Sequence, residues 1–128
     1  MKFKGDNMEI NINYLIEEAH KNAVNKGFWE DIDLVSADGL KEAFKDDLSI
    51  SSGEINAIGN RLMLMVGEVA EAQEGLRRND RDNFKEELAD VCIRMFDLCG
   101  GLDIDLESEI LNKMSINLER SYKHGKAF

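Results

Sequence analysis

Proline is absent from all 128 residues, and this absence constrains the fold together with the spacing of the apolar residues. Apolar residues recur at intervals of three and four, which is the spacing of a helix face, rather than at intervals of two. Proline kinks or breaks a helix when it lies in the interior, and neither a repeat nor a low-complexity tract interrupts the pattern. The sequence therefore predicts an all-α fold, and its length predicts one domain over residues 1–128.

Four main helices are predicted, over residues 8–26, 51–77, 80–98 and 103–122. Ser51 and Glu54 form the S-x-x-E pattern of a capping box, which marks the start of the second helix. Asp80 or Asp82 can cap the third helix, Gly100 and Gly101 can end it, and Asp103 or Asp105 can cap the fourth. A shorter helix over residues 40–48 is expected inside a long connection. Since the connections after the second and third helices are short, a four-helix-type bundle of antiparallel helices, completed by oligomerisation, is expected.

Charge and hydropathy exclude several classes of protein. The chain has 16 basic and 26 acidic residues, a formal net charge of -10, which argues against general binding to nucleic acid. No apolar run is long enough to span a membrane, and the first ten residues lack the apolar core of a secretory signal. The sequence thus predicts a cytoplasmic protein with neither a nucleic-acid nor a membrane partner. An acidic protein can still bind phosphates through bridging metal ions or a local basic cluster.

Two pairs of acidic residues are the strongest indication of a functional site. The segment GEVAEA places Glu68 and Glu71 on one helix face, and EELAD does the same for Glu87 and Asp90. An antiparallel hairpin of the second and third helices would bring the pairs level, where each pair of charges about 4 Å apart repels by about 4 kcal/mol at an effective dielectric constant of about 20. A hard divalent ion relieves this repulsion, so Mg²⁺ is predicted, with Mn²⁺ as a substitute. The alternative is a solvated helix surface, which the apolar surroundings of Glu68 and Glu71 disfavour.

A basic row on the last helix is a second candidate site. Lys113, Asn117 and Arg120 share one side of this helix, and His124 and Lys126 follow just past its end. Lysine and arginine supply positive charge to phosphate oxygens, and an asparagine amide donates a hydrogen bond. The row is therefore predicted to bind a polyphosphate chain. The alternative is an ordinary solvated helix face.

The segments GEVAEA, EELADV and KMSINLERSYKHGKAF together resemble the MazG-like family of all-α nucleoside triphosphate pyrophosphohydrolases, which is related to dimeric dUTPases and dCTP pyrophosphatases. The resemblance begins near His20 and extends to the C-terminus. It implies Mg²⁺-dependent hydrolysis of a (d)NTP substrate to the monophosphate and pyrophosphate, in a homodimer or homotetramer. It also implies that Glu68 or Glu71 orients or deprotonates the attacking water, and that Lys113, Asn117, Arg120, His124 and Lys126 bind phosphate. Relatives often have proline after this arginine, where this chain has Ser121.

The stretch AHKNAVNKGFW extends the resemblance to residues that contact the nucleobase in some relatives. His20 and Trp29 match positions that contact the base in some relatives, and an aromatic face beside a cleft can stack on any base. A buried structural role for Trp29 is the alternative. Some relatives have an aromatic residue four positions after the signature aspartate, whereas this chain has Arg94, so the resemblance implies no base preference.

Two other functions remain open at this point. A di-iron carboxylate bundle is suggested by Glu17 and His20, which form an ExxH pair, but that site needs two such pairs and His124 lacks the partner glutamate. A non-catalytic helical interaction or nucleotide-binding module would keep the same shape without the chemistry. Pyrophosphohydrolysis is the favoured prediction because all four signature carboxylates are present.

Overall fold

The computed structural model describes residues 9–32, 34–120 and 122 of the chain. This part of the chain forms five α-helices and contains no β-strand. The helices are α1 (Ile12–Asn25), α2 (Leu34–Asp46), α3 (Ser52–Arg77), α4 (Arg81–Leu102) and α5 (Leu106–Leu118). The predicted all-α class is confirmed. No helix among the described residues is long and apolar enough to cross a membrane.

Side-chain caps fix where four of these helices begin, namely α1, α3, α4 and α5. Ser51 and Glu54 form the predicted capping box: the Glu54 N–H donates to Ser51 Oγ at 3.1 Å, and the Ser51 N–H donates to Glu54 Oε1 at 2.9 Å. Asp80 caps α4 and Asp105 caps α5, each by accepting a backbone N–H three residues further on. These caps satisfy amides that have no partner inside the helix, and they decide between the alternative starts.

The expected helix end at Gly100 and Gly101 is wrong, because α4 continues through both glycines to Leu102. A Cβ atom on Gly100 would lie 2.5 Å from His20 Cβ, and one on Gly101 would lie 2.1 Å from Trp29 Cη2. The glycines therefore serve close packing against α1 and the segment after it, rather than helix termination. The helix ends at Asp103, whose φ of 56° is left-handed.

Three other boundaries also differ from the predicted ones. The first helix starts at Ile12, after an Asn11 cap, rather than near residue 8. The helix expected over residues 40–48 begins six residues earlier, at Leu34, and the last helix ends at Leu118 rather than near residue 122. Helix ends depend on local caps and tertiary contacts, which apolar spacing does not specify.

The long helix α4 lies between α3 and α1 and contacts both along much of its length. It runs antiparallel to α3, since Arg94 lies beside Glu68 while Phe84 lies beside Gly75. The core forms where α1, α2 and the end of α4 meet, and Leu40 is its most buried side chain. Its buried members are Ala23, Trp29, Ile32, Leu40, Met65, Leu98 and Leu102. In contrast, α5 packs mainly against α1 and buries none of its own residues.

Candidate metal centre and adjoining cleft

The antiparallel pairing of α3 and α4 brings three of the four predicted carboxylates together. One oxygen from each of Glu68, Glu87 and Asp90 lies within 4.8 Å of the other two. Glu68 and Glu87 are half-buried, whereas Asp90 is exposed toward solvent. The fourth, Glu71, is exposed and lies outside this triplet, but it is close enough for its charge to raise the pKa of Glu87.

The triplet shows opposite pKa shifts on its two half-buried members. A hydrogen bond to Glu68, followed by burial and by the charges of Glu68, Asp90 and Glu71, raises the pKa of Glu87 to about 7. Hydrogen bonds from Arg94 and then from Glu87 lower the pKa of Glu68. Below about pH 7, Glu87 therefore holds a proton that it donates to Glu68, as expected where two carboxylates share one site.

The chemistry of the triplet fits a hard divalent cation. Glu87 Oε2 is buried and receives no hydrogen bond from a donor among the described residues. Buried polar atoms normally have partners, and an unpaired one is costly. All the donors are carboxylate oxygens, which suit Mg²⁺, Mn²⁺ or Ca²⁺ and disfavour the softer metals. Glu68, Glu87 and Asp90 are thus the residues that would hold such an ion.

Arg94 is a further member of the site, at the position where some relatives in the MazG-like family have an aromatic residue. Its Nε donates to Glu68 Oε1 at 2.8 Å, which links α4 to α3 directly beside the triplet. The signal was present in the sequence, since Arg94 lies one turn after Asp90 on the same face of the helix. Apolar spacing does not show that its side chain reaches across to α3.

A cleft of about 610 Å³ adjoins the triplet, and Glu68, Asp90 and Arg94 are among the residues that line it. The rest of its wall comes from α1, α3, α4 and the segment that follows α1. Asn22 and Asn60 offer amide groups there, and the exposed aromatic ring of Phe28 lies on the same wall. The volume lies in the range of small-molecule sites, so the cleft has room for a nucleotide-sized ligand next to the carboxylates.

His20 and Trp29 are brought together, but both are tied to Asp97 of α4. Trp29 Nε1 donates to Asp97 Oδ1 at 2.8 Å, and His20 Nδ1 lies 2.9 Å from the same oxygen. The two rings meet edge to face at 5.0 Å, and Trp29 is only 8% exposed. Of these three residues, only Asp97 is among those that line the cleft. Base contact by His20 and Trp29 stays a prediction. In this structure the two residues contact Asp97, which lines the cleft.

A buried arginine supports the same wall, and nothing in the sequence pattern indicated it. Arg61 Nη1 and Nη2 donate to the two carboxylate oxygens of Asp31 at 3.0 and 2.8 Å, and its guanidinium lies 3.9 Å from the centre of the Trp29 ring. It also donates to the carbonyl oxygens of Ala57 and Phe28. The hydrogen bond from Arg61 lowers the pKa of Asp31. Arg61 therefore fastens the segment after α1 to α3.

Three members of the basic row, Lys113, Asn117 and Arg120, fall within the described residues. Lys113 and Asn117 are exposed on α5, and Arg120 is exposed just beyond its end. Within residues 9–32 and 34–120, none of the three forms a hydrogen bond or an ion pair with the triplet. His124 and Lys126 lie outside the described residues. The phosphate-binding role of the row stays a prediction.

Known proteins provide no independent identification of this arrangement. No protein-family model matches the chain, and neither a curated protein nor a solved structure matches it. The resemblance of its motifs to MazG-like enzymes therefore remains a prediction from the sequence.

Proposed function

We propose that this protein hydrolyses a (deoxy)nucleoside triphosphate to the monophosphate and pyrophosphate, as the resemblance to MazG-like enzymes implies, with Mg²⁺ as cofactor and Mn²⁺ as a substitute. The observation that carries the proposal is the triplet of Glu68, Glu87 and Asp90, in which one oxygen from each residue lies within 4.8 Å of the other two. Glu87 also has a buried oxygen, Oε2, without a hydrogen-bond partner among the described residues. The adjoining cleft of about 610 Å³ supports it, because substrate and metal would occupy neighbouring positions.

In this proposal the residues of the site have distinct roles in metal binding, activation of water and stabilisation of the leaving group. Glu68, Glu87 and Asp90 hold the ion, which when bound supplies charge neutralisation at the phosphate oxygens. Glu71 is the better base for the attacking water, because Glu68 is already bonded to both Arg94 and Glu87 whereas Glu71 is exposed beside them. Water attacks the α-phosphorus, its proton passes to Glu71, and pyrophosphate leaves. In this proposal Lys113 and Arg120 stabilise the charge on the leaving group.

Self-association into a homodimer or homotetramer is part of the proposal. Beside its contact with α4, α3 has an exposed apolar stripe that includes Leu62, Val66, Val69 and Leu76. A helix with two apolar sides needs two partners, and α4 covers only one of them. A second copy on the exposed side would complete a four-helix-type bundle, and it is the simplest source of a basic row for the carboxylates of the first copy.

A non-catalytic helical module is the second candidate, and the exposed apolar side of α3 is the observation that favours it. Such a module would bind a nucleotide or a protein without turnover. The unpaired oxygen of Glu87 favours the metal-dependent enzyme instead. The di-iron alternative has less support, because the carboxylate triplet includes no histidine and His20 is held by Asp97.

The test is pyrophosphate release with Mg²⁺ across a panel of ordinary and modified (d)NTPs. Glu71→Gln should abolish turnover and leave the fold intact, because an amide keeps the shape of the side chain but cannot take a proton. Glu86→Gln is the matched control, since Glu86 is an exposed glutamate next to Glu87, and it should remain active. Release that persists in Glu71→Gln would remove the assigned base. No release from any nucleotide by the wild-type protein would leave the binding module as the better conclusion.

A further inference from the structure

Arg94 already binds one of the three carboxylates that would hold a metal ion. Its guanidinium donates from Nε to Glu68 Oε1 at 2.8 Å, across the seam between α3 and α4. The arginine side chain is 39% exposed and lines the cleft, while the Glu68 side chain is 18% exposed. The ion pair is therefore open to the cleft on the side from which an ion and a nucleotide would enter.

The remaining donors of this guanidinium are uncommitted. Among the described residues, Arg94 makes a hydrogen bond only through Nε, so Nη1 and Nη2 keep their four N–H groups. A guanidinium next to a metal site repels the metal, because two cations then share one carboxylate. A unit charge about 6 Å from a divalent ion disfavours its binding by roughly a factor of ten, even at the dielectric constant of water. Phosphate oxygens reverse this effect, since they attract both cations.

We propose that Arg94 is a positioning residue that competes with the divalent cation for Glu68, so that the site binds the ion alone weakly and binds it well together with a polyphosphate. The part of this inference that concerns the polyphosphate rests on the proposed function. The competition for Glu68 does not, because it follows from the ion pair and the carboxylate triplet alone. With nucleotide present, Nη1 and Nη2 donate to a phosphate oxygen and Glu68 is shared with the metal.

The test is a calorimetric titration with Mn²⁺ in the absence of nucleotide. Arg94→Met removes the charge and keeps a long side chain, and it should bind Mn²⁺ about tenfold more tightly than the wild-type protein. Arg94→Lys retains the charge and should stay closer to the wild type. Arg81→Met is the matched control, because it removes an exposed arginine from the same helix and should leave the affinity unchanged. A merely structural role for Arg94 would give the opposite sign, a loss of Mn²⁺ affinity.

A measurement on the wild-type protein keeps the inference testable if Arg94→Met fails to fold. The Nε–H resonance of Arg94 should shift on addition of Mg²⁺, because the hydrogen bond to Glu68 weakens when the ion binds. Equal or weaker Mn²⁺ binding by folded Arg94→Met, or an Nε–H resonance that Mg²⁺ at saturation leaves unmoved, would overturn the proposal. Loss of the proposed function is a separate result, since it is read from nucleotide hydrolysis and leaves the Mn²⁺ comparison intact.

Discussion

A hydrogen bond to Glu68, burial and the negative charges of Glu68, Asp90 and Glu71 raise the pKa of Glu87. The protonation of Glu87 should therefore govern how the stability of the metal-free protein varies with pH. Its pKa is raised from 4.5 to about 7, so the folded protein holds this proton more tightly than the unfolded chain. The resulting stabilisation is fully present below pH 4.5 and is lost as the pH rises through about 7. The lowered pKa of Glu68 acts below its ordinary value of 4.5, outside this window.

We therefore expect the melting temperature of the protein in EDTA to fall between pH 5 and pH 8, by roughly a few degrees. In Glu87→Gln this part of the pH dependence should disappear, whereas Glu86→Gln should keep it. Saturating Mg²⁺ should also remove it from the wild-type protein, because the ion replaces the proton. An unchanged slope in Glu87→Gln would show that another group is responsible.

The sequence predicts contacts between site residues best when a short, regular stretch of chain separates them. Glu68, Glu87 and Asp90 follow from spacing on two helices joined by a short loop, since that loop fixes the pairing. The contact of Arg94 with Glu68 depends on the rotation of each helix about its axis, which periodicity gives only coarsely. The contact of Arg61 with Asp31 joins α3 to the irregular segment between α1 and α2, and no periodic signal specifies it.

At the scale of elements, the contact of α4 with α1 and the segment after it depends on two glycines inside α4. Gly101→Ala should destabilise the protein by about 1–3 kcal/mol, because the new Cβ would lie 2.1 Å from Trp29 Cη2 and the indole would have to move. Since Trp29 is the only tryptophan, its fluorescence should shift to longer wavelength as the ring becomes more exposed. Denaturant unfolding followed by this fluorescence measures both effects.

Gly39→Ala in α2 is the control for the glycine contact. A Cβ there meets nothing within 4 Å, so alanine should leave stability unchanged or raise it by up to about 1 kcal/mol through its higher helix propensity. Equal effects of the two substitutions would mean that helix propensity, and not the contact with Trp29, explains the result at Gly101.

The same contact shows why the sequence predicted the helices better than their ends. A glycine pair after an apolar stripe is a common helix stop, and within the sequence it cannot be distinguished from a glycine pair that admits a neighbouring ring. The capping box at Ser51 was predictable because both of its partners lie within one turn. A helix cap can be predicted from residues within one turn of each other, whereas a close approach between two helices depends on residues far apart in the sequence.

At the scale of the whole molecule, a single copy of the chain leaves two apolar helix faces exposed to solvent, one on α3 and one on α5. On α5, Leu111, Met114 and Leu118 lie at intervals of three and four, and each is more than half exposed. On α3 the exposed stripe of Leu62, Val66, Val69 and Leu76 has the same helical spacing. Contiguous apolar patches of this kind mark interfaces, and a second copy of the chain is the occupant that the proposed function favours.

Met114→Glu tests this assembly, since it places a charge in the middle of the α5 stripe. Because Met114 is exposed in the single chain, the change should leave the fold intact and act only on association. The mass measured by light scattering across a concentration series should fall toward that of one 14.5 kDa chain. Ser115→Glu adds the same charge at the neighbouring exposed position and should keep the wild-type mass. If Met114→Glu assembles like the wild type, α5 lies outside the interface. Lys113, Asn117 and Arg120 could then not reach the carboxylates of a second copy, which would contradict their proposed role.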